Sequence, residues 1–259
     1  MSRLRARCPD CGTLTAVAVS SRYECHVCGR VYAAGLVRVP RAWGAGGEAM
    51  AEAAGLELPY PETAIVEEET LAAQSLALAA ALPERPLVLG GCCCAHVGAV
   101  EGLTARAGGP LAVVWLDAHG DLNTPETSPS GNLWGMPLRM LLDDGAVAAE
   151  NVALVGARSL DPPEEEFIAA SGLHLGTDGV ARALAGVERV YVALDCDSLD
   201  SSQVACFMPE PGGLSLEQAG RVLRAVAAGT RVAGAGVTGL APEPANVGVL
   251  VRLLAALGL

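Results

Sequence analysis

Two apolar runs end abruptly in acidic and imidazole side chains, and these endings carry the chemistry of the chain. Leu111 to Leu116 stops at Asp117, followed by His119 and Asp121, and Val190 to Leu194 stops at Asp195, followed by Asp197. Each run is short and continuously apolar, as expected of a strand buried on both faces of a parallel sheet. In open parallel sheets ligands bind at the carboxyl ends of the strands, so the polar residues fall where a site belongs. The alternation of Asp117, His119 and Asp121 would point all three the same way if the chain stayed extended. Four carboxylates and one imidazole from two strand ends suffice for a pair of divalent transition metals holding an activated water. Asp-x-His-x-Asp by itself also reads as an ordinary strand-end turn; the second strand end is what favours metal.

A different metal chemistry opens the chain. Cys8-x-x-Cys11-Gly12 and Cys25-x-x-Cys28-Gly29 have the spacing of a four-thiolate zinc ribbon, and a closed set of four thiolates leaves no open position for catalysis. The zinc expected there is structural. Pairs of this kind, in a sequence whose basic start leads to Cys8 and not to an apolar signal segment, argue for metal over disulfides and for a cytoplasmic protein. No apolar stretch reaches membrane-spanning length.

The elements that must position these residues alternate between strand and helix. Leu36–Val39, Leu87–Gly91, Leu111–Leu116 (entered through Gly108, Gly109 and Pro110), Val152–Arg158 and Val190–Leu194 read as strands. Glu67–Leu82, Leu138–Leu142, Ser215–Ala228 and Asn246–Leu257 read as helices, the third with Ser215 as N-cap. This order predicts a parallel α/β class. A chain of 259 residues with 51% hydrophobic content, 31 Gly and 3% aromatic content fills its core with aliphatic side chains and Ala.

Charge is divided unevenly. Residues 1–41 carry seven arginines, Arg3 among them, against Asp10 and Glu24, a balance of +5; the remainder carries −17. The ribbon lacks aromatics interleaved for base stacking, so docking on the body or on a second copy is expected ahead of nucleic acid.

The residues Asp117-Ala118-His119-Gly120-Asp121 and Asp195-Cys196-Asp197, with Asn123-Thr124-Pro125, Thr127-Ser128 and Ser130-Gly131-Asn132 between them, resemble the arginase (ureohydrolase) superfamily over roughly residues 36 to 259. The resemblance implies a three-layer α/β/α domain on a mostly parallel sheet, preceded by the ribbon at residues 1–35. It implies a two-manganese site held by Asp117, His119, Asp121, Asp195 and Asp197. Asp121 and Asp117 would be catalytic, Asp121 orienting the attacking hydroxide and passing its proton to the leaving nitrogen. The family's Gly-Gly-Asp-His-Ser turn matches Gly90 to Cys94 and puts Cys93 where a histidine ligand is expected. A thiolate is softer and favours Zn or Fe; Cys92 to Cys94 read equally well as small buried hydrophobes. His96 would need a shifted backbone to take part.

By the same resemblance Asn123, Ser130 and Asn132 match positions that meet a substrate α-carboxylate, and Asp161 and Glu164 positions that meet an α-amino group. Trp134 stands in place of a proton-shuttling histidine, and Gly239 in place of the glutamate that binds guanidinium, with Glu243 the nearest substitute. The implied function is a divergent metal-dependent hydrolase of a carbon–nitrogen bond in a small amino-acid-like substrate other than arginine, acting as a homo-oligomer. Restoring histidine and glutamate at positions 134 and 239, with histidine at 93, should then raise arginine hydrolysis. The alternatives are an inactive binding protein using the ribbon for interaction, and a deacetylase, which shares the fold.

Overall fold

A computed structural model describes residues 5–106 and 109–259; Arg3 of the basic stretch and Gly108 of the turn before the central strand lie outside the described residues. The chain opens with an antiparallel sheet, β1 (Arg5–Ala6), β2 (Ala16–Val19), β3 (Arg22–Cys25) and β4 (Val31–Tyr32), paired in that order. Among the described residues Ala6, Cys8, Ala16, Tyr23, Cys25 and Tyr32 form its buried core. So small a core stabilises little by itself, which makes a bound metal the natural source of folding energy.

The body is an eight-stranded sheet. Its strands are β5 (Gly35–Val39), β6 (Glu62–Ile65), β7 (Pro86–Gly90), β8 (Leu111–Leu116), β9 (Val152–Val155), β10 (His174–Leu175), β11 (Arg189–Asp195) and β12 (Arg231–Thr238). Every pairing is parallel, in the order β10-β9-β8-β11-β12-β7-β5-β6. Helices α1 (Glu48–Ala53), α2 (Leu71–Ala81), α3 (Ala95–Thr104), α4 (Pro137–Asp143), α5 (Pro162–Ser171), α6 (Gly176–Ala183), α7 (Leu216–Gly229) and α8 (Asn246–Ala256) complete it.

Strand alternation sends Leu87, Leu89, Ala112, Val114, Leu116, Val192 and Leu194 into one apolar cluster with α7 and α8. Val88, Val113, Trp115, Tyr191 and Ala193 enter the other, with α2, α3 and α4. The arrangement is the expected three-layer α/β/α domain. Each fully buried Leu or Val contributes roughly 2 kcal/mol, and six consecutive buried residues in β8 make the central strand a rigid base for the polar turn at its carboxyl end.

The chain leaves β8 toward β9 and β10 on one side and returns through β11 on the other, so the carboxyl ends of β8 and β11 flank a reversal of strand order. Crevices form at such reversals. At the far edge, Arg7 makes an antiparallel bridge to Glu62 of β6, and the Tyr23 ring lies so close over Gly35 that a Cβ there would sit 2.7 Å from it. The amino-terminal sheet thus covers one edge of the body sheet.

Three local expectations shift. Glu67 to Glu69 precede the helix, which begins at Leu71 with Thr70 accepting the Ala73 amide. The strand from Val152 ends at Val155. The stretch from Pro40 through Pro61, whose Gly-rich and Pro-containing sequence reads as a loop, contains α1, and β6 comes after it.

Candidate metal centre and adjoining chamber

Four adjacent strand ends build the centre: Cys93 beyond β7, Asp117, His119 and Asp121 beyond β8, Asp195 and Asp197 at the end of β11, and Thr238 and Gly239 at the end of β12. The residues beyond β8 converge by turning, not by staying extended. Asp121 has φ +53°, in the left-handed region that short polar side chains tolerate.

The ligand atoms fall into two groups sharing Asp117. Cys93, Asp117 and Asp195 form one; Asp117, His119 and Asp197 form the other. In the first, the Cys93 thiol donates to Asp195 Oδ2 at 2.9 Å and to Asp117 Oδ2 at 3.7 Å. In the second, His119 Nδ1 stands 3.0 Å from Asp197 Oδ2 and 3.4 Å from Asp117 Oδ1. Asp121 lines the same cavity, and its Oδ2 is buried with no hydrogen-bond partner among the described residues.

Supporting donors fix the carboxylates. Trp115 Nε1–H donates to Asp117 Oδ2 at 3.1 Å, Thr238 Oγ1–H to Asp195 Oδ2 at 2.9 Å, and the Ala118 amide to Asp197 Oδ1 at 3.0 Å. Outer partners of this kind orient metal ligands. On the far side of His119, Nε2 faces Glu210 Oε1 at 3.7 Å.

Burial followed by mutual repulsion raises the acids. Asp121 is pushed well up by burial and Asp117, and Asp195 is pushed up to about 7 by burial and Asp197. Burial also raises the Cys93 thiol, with Asp121, Asp195 and Asp117 adding to it. Burial opposes charge on His119, but Asp117 and Asp197 outweigh it and push the imidazole up to about 12. A site that raises the carboxyls of Asp117, Asp121, Asp195 and Asp197 and favours the charged form of one imidazole is short of positive charge, which divalent ions would supply. The donor set fits them.

His96 is not brought in. It turns its ring nitrogens to Tyr191 Oη at 3.0 Å and Thr238 Oγ1 at 3.2 Å, fully buried. Glu243 is exposed and away from the cavity. At Gly239 the backbone has φ +69°, and a Cβ would overlap the Asp195 carboxylate. Glutamate at this position would have to displace the Asp195 carboxylate, a steric cost that the expected restoration of arginine hydrolysis would have to overcome.

The inner cavity holds about 30 Å³ and is roofed by Met50, Trp134, Phe207 and Met208. A water needs about 10–15 Å³, so this space suits ions and water, not a long side chain. The Trp134 and Phe207 rings meet edge to face at 6.0 Å. His119, Asp121, Trp134 and Met208 also wall an outer chamber of about 140 Å³ lined by Asn123, Ser128, Ser130, Ser159, Asp161 and Glu164.

The chamber's carboxylates also organise the loops. Glu164 accepts the Leu122 amide at 2.9 Å and, in a capping box opening α5, the Asp161 amide at 2.9 Å. Gly120 leaves room for this: a Cβ there would lie 2.6 Å from Glu164 Oε1. Asn123 Nδ2 donates to Asp161 Oδ2 at 2.8 Å. Asn132 instead accepts the Ala45 amide at 3.0 Å and does not line the chamber. Met50, Phe207, Met208, Ser159, Glu210 and Thr238 carry no sequence signal that marks them for the site. Only Thr238, beside Gly239 at a strand end, lies next to a position that the motifs single out.

In the amino-terminal sheet, Cys8, Cys11, Cys25 and Cys28 cluster. Cys8 Sγ and Cys28 Sγ are 3.7 Å apart, and Cys11 Sγ and Cys25 Sγ 3.6 Å. Thiolates at about 2.3 Å from a tetrahedral zinc stand about 3.8 Å apart, so the set is already at coordination spacing.

A family model for the arginase family matches residues 30–257. The chain belongs to the arginase family. The arginase of Bacillus subtilis (strain 168) is 38% identical over 159 residues, which cover 51% of this chain and 53% of that relative. The chain spans about half the length of the curated relatives it matches. Among solved structures, arginase from Bacillus subtilis aligns with TM-score 0.74 at 24% identity, covering 86% of this chain and 97% of that one. Formimidoylglutamase from Bacillus subtilis aligns with TM-score 0.68 at 19% identity, covering 87% and 88%. At these identities the likeness is one of fold. Among the described residues no helix is long and apolar enough to cross a membrane.

Proposed function

We propose that the chain is a two-metal hydrolase of a carbon–nitrogen bond in a small amino-acid-like substrate whose reacting end is neutral or weakly basic. We also propose that residues 1–35 form a structural zinc ribbon, and that the protein works as a homo-oligomer in the cytoplasm.

The observation that carries the reading is the pair of ligand groups sharing Asp117, with His119 of the second group and the neighbouring Asp121 also lining a polar chamber. Manganese is the ion the family suggests. Ions held there supply an activated water and polarisation of the bond under attack. The chain's own side chains do the rest. Asp161 and Glu164 favour an ammonium group in the outer chamber, while Asn123 and the serines offer donors to a carboxylate. Asp121 Oδ2, without a hydrogen-bond partner among the described residues, accepts a proton and delivers it toward a leaving nitrogen. Trp134, Phe207 and Met208 present no anion to a guanidinium, whose five donors and fixed charge would be left poorly paired.

The small inner cavity favours a second reading, a binding protein that accepts a head group in the outer chamber without turnover. Steady-state assays of the metal-loaded protein on α-amino acids ending in amide, formimino, amidine or guanidinium groups separate the two. Ammonia or amine release from a neutral or weakly basic substrate, with negligible urea from arginine, is expected. Urea release from arginine at roughly 1 per second or more would overturn the substrate assignment. Amino-acid binding without turnover of any substrate would establish the second reading.

A further inference from the structure

The two ligand groups differ in chemistry although they share Asp117. One offers a thiol and two carboxylates, the other an imidazole and two carboxylates. Cys93 is 5% exposed and its Sγ lies within hydrogen-bonding distance of Asp195 Oδ2, on the side of the cavity that Asp121 also lines. The Asp121 Oδ2 atom, buried and unpartnered among the described residues, is a second and independent indication that this half of the cavity holds a ligand. Cys93 borders the apolar cluster of Val88 and Trp115, yet its sulfur faces carboxylate oxygens of Asp195 and Asp117, which packing as a small hydrophobe does not require. The position beside it therefore has one soft donor and up to three hard ones; the position at His119 has none that is soft.

We propose that Cys93 is a metal ligand, and that it makes the centre a selective mixed site. The Cys93 position takes zinc or another thiophilic divalent ion, and the His119 position remains open to manganese. Carboxylate and imidazole donors accept manganese readily, whereas a thiolate strongly favours later and softer ions. Binding removes the thiol proton to solvent and forms one metal–sulfur bond, with no change of oxidation state. The inference rests on the two-metal reading of the site and adds the identity of the ions.

Cobalt(II) tests it in the full chain, because a thiolate–cobalt bond gives a near-ultraviolet charge-transfer band that oxygen and nitrogen ligands do not. Protein carrying one zinc in the ribbon, verified by elemental analysis before and after, is titrated with cobalt. A thiolate–cobalt band is expected as the body fills, together with loss of that band in Cys93→Ala and Cys93→His. In competition with equimolar zinc and manganese, the wild type should retain one body zinc, and Cys93→His should shift that position toward manganese. Cobalt bound in the body of the wild type without the band would overturn the proposal, with no variant needed. Equal selectivity in wild type and Cys93→His would do the same. Failure of any metal to bind the body would instead strike the two-metal reading.

Discussion

Gly239 is where the structure makes its sharpest demand on a single backbone position, and alanine there has a calculable effect. Its φ of +69° costs an L-residue about 1–2 kcal/mol. Gly145, at φ +68° with nothing within 4 Å of where an alanine methyl would stand, carries that cost alone and serves as the control. At Gly239 the methyl would additionally overlap the Asp195 carboxylate. Asp195 is held by Thr238 at 2.9 Å, Cys93 at 2.9 Å and the Asp197 amide at 3.1 Å. Displacing it forfeits up to three hydrogen bonds worth about 1 kcal/mol each. Gly145→Ala should therefore lose about 1–2 kcal/mol and keep its metals, while Gly239→Ala should lose roughly 3–5 kcal/mol and at least one body metal. Denaturant unfolding with elemental analysis of the same samples reads both quantities. If the two variants matched in stability and metal content, the placement of Asp195 against Gly239 would be wrong.

Cys11→Ser should release one zinc and open residues 5–32 to limited proteolysis while the body keeps its melting temperature, because the ribbon's core is six residues and its thiolates are set for a metal; simultaneous loss of the body transition would show that the sheet-edge contacts carry the body too. Burial holds His96 down to about 3, against about 6.5 in the unfolded chain, so the unfolded state takes up its proton first as pH falls. The stability that neutral His96 contributes is complete above pH 6.5 and is lost toward pH 3, at about 1.4 kcal/mol per unit. The stability gap between wild type and His96→Gln, measured by denaturant unfolding from pH 7 to pH 4, should narrow at that slope, and parallel pH profiles would refute it.

The strands that matter most could be read directly. β8 and β11 are buried on both faces, so their sequences are unbroken apolar runs, and the acids that end them mark the rim of the sheet. Ser215 announced its helix because the N-cap interaction is local; the partner is Gln218, whose side chain returns to the Ser215 amide. What stayed hidden was built by tertiary contact. The cavity roof joins Met50 and the adjacent Phe207 and Met208 to Trp134, the one of the four that the motifs single out, and no periodicity links them. The convergence of Asp117, His119 and Asp121 was expected for an incomplete reason, since period-two geometry applies to strands and this segment turns through the left-handed Asp121. Asn132 sits within a matching stretch, yet the loop carrying Ala45 claims its side chain.

The altered roof and the retained floor bear on different questions. Trp134 and Gly239, which by resemblance stand in place of a histidine and a glutamate, bear on which reacting group can enter, whereas Asp117, Asp121, Asp195 and Asp197 are buried together. Without cations that arrangement is unfavourable: burial and mutual repulsion raise all four carboxyls, and one oxygen of Asp121 remains unpaired among the described residues. Well-packed apolar residues in the same places would stabilise a fold that had no use for ions. A protein retaining only the scaffold for binding has no physical reason to keep this floor. The acids therefore argue for a metal-loaded site even where Trp134 and Gly239 argue against arginine.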